Sequence, residues 1–149
     1  MPRCMSAVAL FAISSGAVSS GAACSGPDTL ECIEVEATCA PLYAPTWENV
    51  FANTIEPKCG TGGGACHEGA SARSGLRLDE SQGAYEALTN QAKPYVMTDD
   101  VACSELLQRV YSEFSSLRMP RGSSLPDAER CALQQWVLAG APGPVTVSP

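Results

Sequence analysis

Eight cysteines in 149 residues limit what this chain can fold into more than any other feature. Each must be buried, bridged, modified or used as a ligand, and which of these applies depends on compartment, because disulfides persist outside the cytoplasm and are rare within it. The N-terminus points outward. Met1-Pro2-Arg3 leads an apolar run from Ala7 to Ile13, and small residues follow to Gly21-Ala22-Ala23-Cys24. That is the layout of a secretory signal over residues 1–23. The run is shorter than the roughly 20 apolar residues a membrane-spanning helix needs.

Cys24, directly behind Gly-Ala-Ala, resembles the acylated first residue of bacterial lipoproteins, although Gly21 stands where that motif has Leu. Several acyl chains on one cysteine anchor a protein stably, so the expectation is a periplasmic or outer-membrane lipoprotein that meets the membrane only through this anchor. An ordinary cut after Ala23 is the alternative. Either way the chain is exported, and with Cys4 removed and Cys24 acylated, six thiols remain at Cys32, Cys39, Cys59, Cys66, Cys103 and Cys131.

Two of the six close a glycine-rich loop, Cys59-Gly60-Thr61-Gly62-Gly63-Gly64-Ala65-Cys66, and His67 follows at once. This reads as a lengthened form of the C-x-x-C-H haem-attachment motif. Two thiols form thioethers with the haem vinyl groups, and the adjacent histidine reaches the iron. The spacing here is C-x6-C-H. Doubling a flexible loop costs only about 0.6 kcal/mol in closure entropy, and glycines without Cβ let the extra residues bulge outward. The other reading of the same residues is a local Cys59–Cys66 disulfide, contributing roughly 2 to 3 kcal/mol. If Cys59 and Cys66 hold haem, the other four thiols allow three pairings. The most economical is Cys32–Cys39, stapling the entry segment, with Cys103–Cys131 joining two helices. Zinc accounts poorly for a chain with one histidine and no C-x2-C pair.

One domain is the expectation from length, and 6% aromatic content with 13 glycines and 11 prolines implies a loop-rich fold that leans on crosslinks or a bound group. The net charge of −7 argues against nucleic acid and anionic membrane surfaces as partners, since both would repel it, and leaves basic docking partners open. Residues 24–44 read as a cysteine-containing tether, 45–141 as the domain and 142–149 as a disordered tail. Thr46 caps a first helix carrying Trp47, Val50, Phe51 and Ile55 and ending before Pro57. Ser81 opens a short helix through Tyr85 and Leu88. A third helix spans about Cys103 to Phe114 with an apolar stripe of Leu106, Leu107, Val110, Tyr111 and Phe114. The last begins at Pro126, Asp127 and Glu129, faces Leu133, Trp136 and Val137 inward, and closes at Gly140.

The order of these pieces resembles a c-type cytochrome domain of the planctomycete type. It is carried by Cys66-His67, Gly75-Leu76-Arg77-Leu78, Tyr85-Glu86-Ala87-Leu88, Cys103-Ser104-Glu105-Leu106, Met119-Pro120 and Glu129 through Trp136 to Gly140-Ala141. The resemblance implies an all-α, small cytochrome c-like fold with long loops and one covalent haem c. It implies thioethers at Cys59 and Cys66, His67 as proximal ligand and Met119 as distal ligand, with Met97 as the substitute. Such a chain is an electron carrier with a redox protein partner rather than a catalyst, and no G-x-S-x-G or H-E-x-x-H motif speaks for an enzyme. The alternative is a disulfide-stapled, haem-free cytochrome-like module that binds or supports other proteins.

Overall fold

A computed structural model describes residues 29–61, 66–90, 92 and 94–145. The leader and Cys24 lie outside the described residues. Helix α1 (Trp47–Val50) starts where its cap predicts: Thr46 is extended, and its hydroxyl accepts the Asn49 N–H at 3.4 Å. The chain continues through a wider π turn (Phe51–Ile55) into α2 (Glu56–Lys58), so the helical run passes Pro57 instead of ending before it. Proline lacks the N–H for a regular helical bond and crowds the carbonyl four residues back. The turn just before it is closed one residue wider, with the Glu56 N–H on Phe51 O, and that width accommodates the ring.

Helix α3 (Ser81–Thr89) begins at Ser81 as expected, but its cap is the Glu80 carboxylate, which accepts from the Gln82 and Gly83 N–H groups at 3.1 and 2.7 Å. The Ser81 hydroxyl is thereby left to accept the Trp47 indole N–H at 3.0 Å. Helix α4 (Glu105–Tyr111) is shorter than its apolar stripe predicts. Ser104, fully buried, is drawn away from the helix: its hydroxyl donates to Tyr95 O and accepts the Met97 N–H. Leu106, Leu107 and Val110 are buried, whereas Phe114 lies beyond the helix and is 42% exposed.

Helix α5 (Asp127–Leu138) is the centre of the molecule. Asp127 and Glu129 sit in its first turn, where carboxylates favour the helix dipole. Leu133, Trp136 and Val137 are inaccessible to solvent. Trp136 packs on Trp47 with ring centroids 5.2 Å apart, and Trp47 in turn meets Tyr85 edge-on at 5.3 Å and Phe51 at 5.7 Å. First and last helices thus pack together through their tryptophans. Gly140, at φ +87°, provides the left-handed residue that ends α5. No strand occurs among the described residues, and none of their helices is long and apolar enough to cross a membrane.

Of the expected tail, residues 146–149 lie outside the described residues and 142–145 are tied to the helices: Trp136 Nε1 donates to Pro142 O at 3.0 Å, Tyr85 Oη to Ala141 O at 3.1 Å, and the Val145 N–H to Glu48 Oε1 at 2.8 Å. Buried indole and phenol groups need partners, and the tail backbone supplies them. The disulfides also differ. They join Cys32 to Cys103 and Cys39 to Cys131, across 71 and 92 residues, and not Cys32 to Cys39 with Cys103 to Cys131. The entry segment is no free tether but a strap lying on the helices. The Ile33 N–H bonds Ala102 O, buried Gln134 pairs with both backbone groups of Glu36, and the Leu42 N–H bonds Ala128 O. These bonds set Cys32 beside Cys103 and Cys39 beside Cys131, and long closed loops remove more chain entropy than a local staple would.

Candidate functional site

The Cys59–His67 loop starts where α2 runs out. The Cys59 and Gly60 N–H groups both bond Ile55 O, at 2.9 and 3.0 Å, and Gly60 is buried against the Leu78 backbone so closely that a Cβ would stand 2.4 Å from Leu78 O. Only glycine fits that approach. The far end of the loop returns to its start, the His67 N–H donating to Cys59 O at 3.2 Å. Residues 62–65 lie outside the described residues. The structure therefore brings Cys59, Cys66 and His67 together, as the motif predicts.

A second arm of chain, Arg73 to Asp79, runs beside the loop and holds it at four points. The Arg73 N–H bonds Cys66 O and the Leu78 N–H bonds His67 O, both at 2.8 Å. Asp79 accepts the Gly69 N–H at 3.0 Å and the Arg77 guanidinium at 3.2 Å, and these two bonds, Arg77 first, hold its carboxyl below the usual carboxylate range. The fourth point is the important one: His67 Nδ1 lies 2.9 Å from Leu76 O. A carbonyl can only accept, so Nδ1 is the donor in this bond, and Nε2 is the ring nitrogen it leaves for any other partner. Ligating histidines are oriented by this kind of bond on their other nitrogen.

Cys59 packs against the hydrophobic core. Burial, and then the neighbouring Cys66 charge, push its thiol up to about 11, so the two sulfurs lie within each other's field. Both cysteines stand outside the two long-range disulfides.

Met119 is positioned by α4 and not by the loop. Its N–H bonds Arg109 O at 3.0 Å, while the Arg109 side chain ties to Glu105 and to Leu117 O. Met119 is half-buried, and so is Met97. Beside Met119, the Arg118 Nε is buried with no hydrogen-bond partner among the described residues, an open donor that suits a carboxylate-bearing group. The described residues contain no cluster of three or more His, Cys, Asp or Glu placed to hold a metal ion. The donor set is thus one oriented imidazole, two neighbouring thiols and a thioether on a separate loop. These are residue types that haem takes, His and Met for its iron and thiols for its periphery.

Sequence reasoning missed Leu76 and Asp79 as the groups that orient the motif. Leu76 acts through its backbone, which leaves no trace in residue type. Asp79 is one carboxylate among 16 acidic residues.

The helical fold and the Cys59–His67 site are similar to those of a cytochrome c-like domain over part of the chain. Residues 64–122 match the family model described as Planctomycete cytochrome C, a segment that takes in Cys66, His67 and Met119 and leaves Cys59 outside. No curated protein and no solved structure matches the chain.

Proposed function

We propose that this chain is an exported, lipid-anchored c-type cytochrome carrying one covalent haem and passing electrons to a redox protein partner. The observation that supports this best is the His67 Nδ1 contact with Leu76 O, which fixes the ring and presents Nε2. Haem, once attached, supplies an iron that takes up and releases one electron. Cys59 and Cys66 would hold it by thioethers, His67 would be its proximal ligand and Met119 its distal one. In that arrangement Leu76 O would keep the His67 proton at Nδ1, and Cys59 and Leu76, both packed against the core, would hold the motif to the body of the domain. His67 and Met119 together would hold the iron, and His/Met ligation raises a haem potential, which suits electron transfer.

The test is to produce the chain in a bacterial host that exports it and attaches haem. The proposal expects the reduced-minus-oxidised visible band of thioether-linked haem, retained after acid–acetone extraction. It expects Met119→Ala to lower the potential and to admit carbon monoxide at the iron. Labelled fatty acid should enter the chain and be lost in Cys24→Ala. A colourless product with Cys59 and Cys66 joined to each other would favour the haem-free module, a reading supported by the proximity of these two sulfurs.

A further inference from the structure

Two grooves of about 250 and 410 Å³ lie side by side where the strap crosses α4, and Ile33 and Tyr111 line both of them. Their lining mixes polar and apolar groups, and Ile33 and Tyr111 form its shared apolar part. Phe114 and Leu117 continue it in the first groove, and Phe114 is among the few large apolar side chains of the described residues that stand exposed. The rim is acidic: Glu31 and Glu113 border the first groove, Glu34 and Glu36 the second, and all four are exposed. None of them belongs to the ion pairs found among the described residues, which join Arg77 to Asp79, Arg109 to Glu105 and Arg130 to Asp127. Arg130, the one cationic residue lining either groove, is already engaged by Asp127 and lies 4.8 Å above the Tyr111 ring. Burial raises the Tyr111 phenol, with Arg130, Glu36 and Asp127 acting on it in turn, so the ridge between the grooves sits within the field of these groups.

We propose that this face docks a basic protein surface, one that sets lysines or arginines around an exposed apolar or aromatic residue. The charge is complementary: four unpaired glutamates on a chain of net charge −7 attract cations and repel nucleic acid and anionic lipid. The apolar part of the lining then selects among cations. A polyamine would use the rim and leave Phe114 wet, whereas a protein surface covers both, and aromatic residues inside a polar rim are the usual anatomy of an interface. Complementary charge of this kind acts mainly on encounter rate and partner choice. The proposal does not require haem.

The experiment titrates the isotope-labelled mature chain with the peptide acetyl-Lys-Lys-Phe-Lys-Leu-Lys-amide and follows its amide NMR signals, with spermine as the comparison. Shifts should concentrate at Ile33, Tyr111 and Phe114. Glu34→Gln, Glu36→Gln and Glu113→Gln together should weaken binding about tenfold, while Glu56→Gln, Glu86→Gln and Asp99→Asn, the same charge change elsewhere, should alter it less than about twofold. Phe114→Ser should weaken it with no change in net charge. All of these positions are exposed except Glu56, which is half-buried, and an unchanged thermal midpoint verifies each variant's fold. Equal loss from the two triple variants would overturn the proposal, as would spermine binding the same amides as tightly as the peptide. A colourless, haem-free preparation gives the same answer, so failure here is separable from failure of the haem reading.

Discussion

Replacing Gly60 with alanine tests how the motif loop is held. The added Cβ would stand 2.4 Å from Leu78 O, 3.0 Å from Leu78 C and 3.1 Å from Glu56 O, all backbone atoms. Carbon contacts settle near about 3.5 Å, so the Leu78 arm must retreat by roughly 1 Å. Leu78 is buried, and its N–H holds His67 O. No flexible side chain absorbs the change, which places the cost at the upper end of overpacking, ~3 kcal/mol. For a domain of this size that lowers the thermal midpoint by about 15 °C. Denaturant unfolding followed by fluorescence of the two buried tryptophans measures it, and the haem content of matured protein should fall in parallel. Gly83→Ala serves as control: its Cβ meets only the end of the Glu80 side chain, at 3.0 Å, and the change should stay within ~1 kcal/mol. If Gly60→Ala unfolds within ~0.5 kcal/mol of the parent, against the cost expected of overpacking, the close approach of the two backbones is refuted.

Other outcomes follow from the strap and the arm. Gln134→Leu strips the Glu36 N–H of its partner and leaves Glu36 O only its longer bonds from the Cys39 N–H and Gln135 Nε2, and should cost ~2 kcal/mol in a urea melt; a neutral result would mean the strap is not held there. Cys39→Ser with Cys131→Ser opens a link across 92 residues and should remove about 4 kcal/mol, and non-reducing peptide maps should show Cys32 joined to Cys103, never to Cys39. Asp79 gives a pH signature. Its carboxyl is lowered on folding, so its stabilisation is complete above the unfolded value near 4 and is lost as pH falls through the folded value. The stability gap between parent and Asp79→Asn should therefore shrink as the solution is acidified below about pH 4; a gap that widens in acid would contradict the assignment.

Local chemistry was readable from the chain: the Thr46 cap, the inward Leu133-Trp136-Val137 spacing and the Gly140 stop all depend on residues a few positions apart. The closeness of Cys59, Cys66 and His67 was readable for the same reason. What escaped depends on distant partners. The cysteine pairing follows from Gln134 meeting Glu36, 98 residues away, and no local rule anticipates that. The tying down of the start of the tail follows from the need of Trp136 and Tyr85 for acceptors, which composition shows but geometry alone satisfies. The run through Pro57 needed a π turn that apolar periodicity does not encode. Phe114 completed the stripe of α4 on paper, yet Ser104 and Ser112 bound the helix more tightly than hydrophobic spacing suggests.

The most direct test is mass spectrometry of the proteolytic fragment containing Cys59 to His67, taken from protein matured in an exporting, haem-attaching host. The account predicts one fragment carrying haem through both Cys59 and Cys66. A fragment of unmodified mass, or one two hydrogens lighter with the sulfurs bridged to each other, would contradict it.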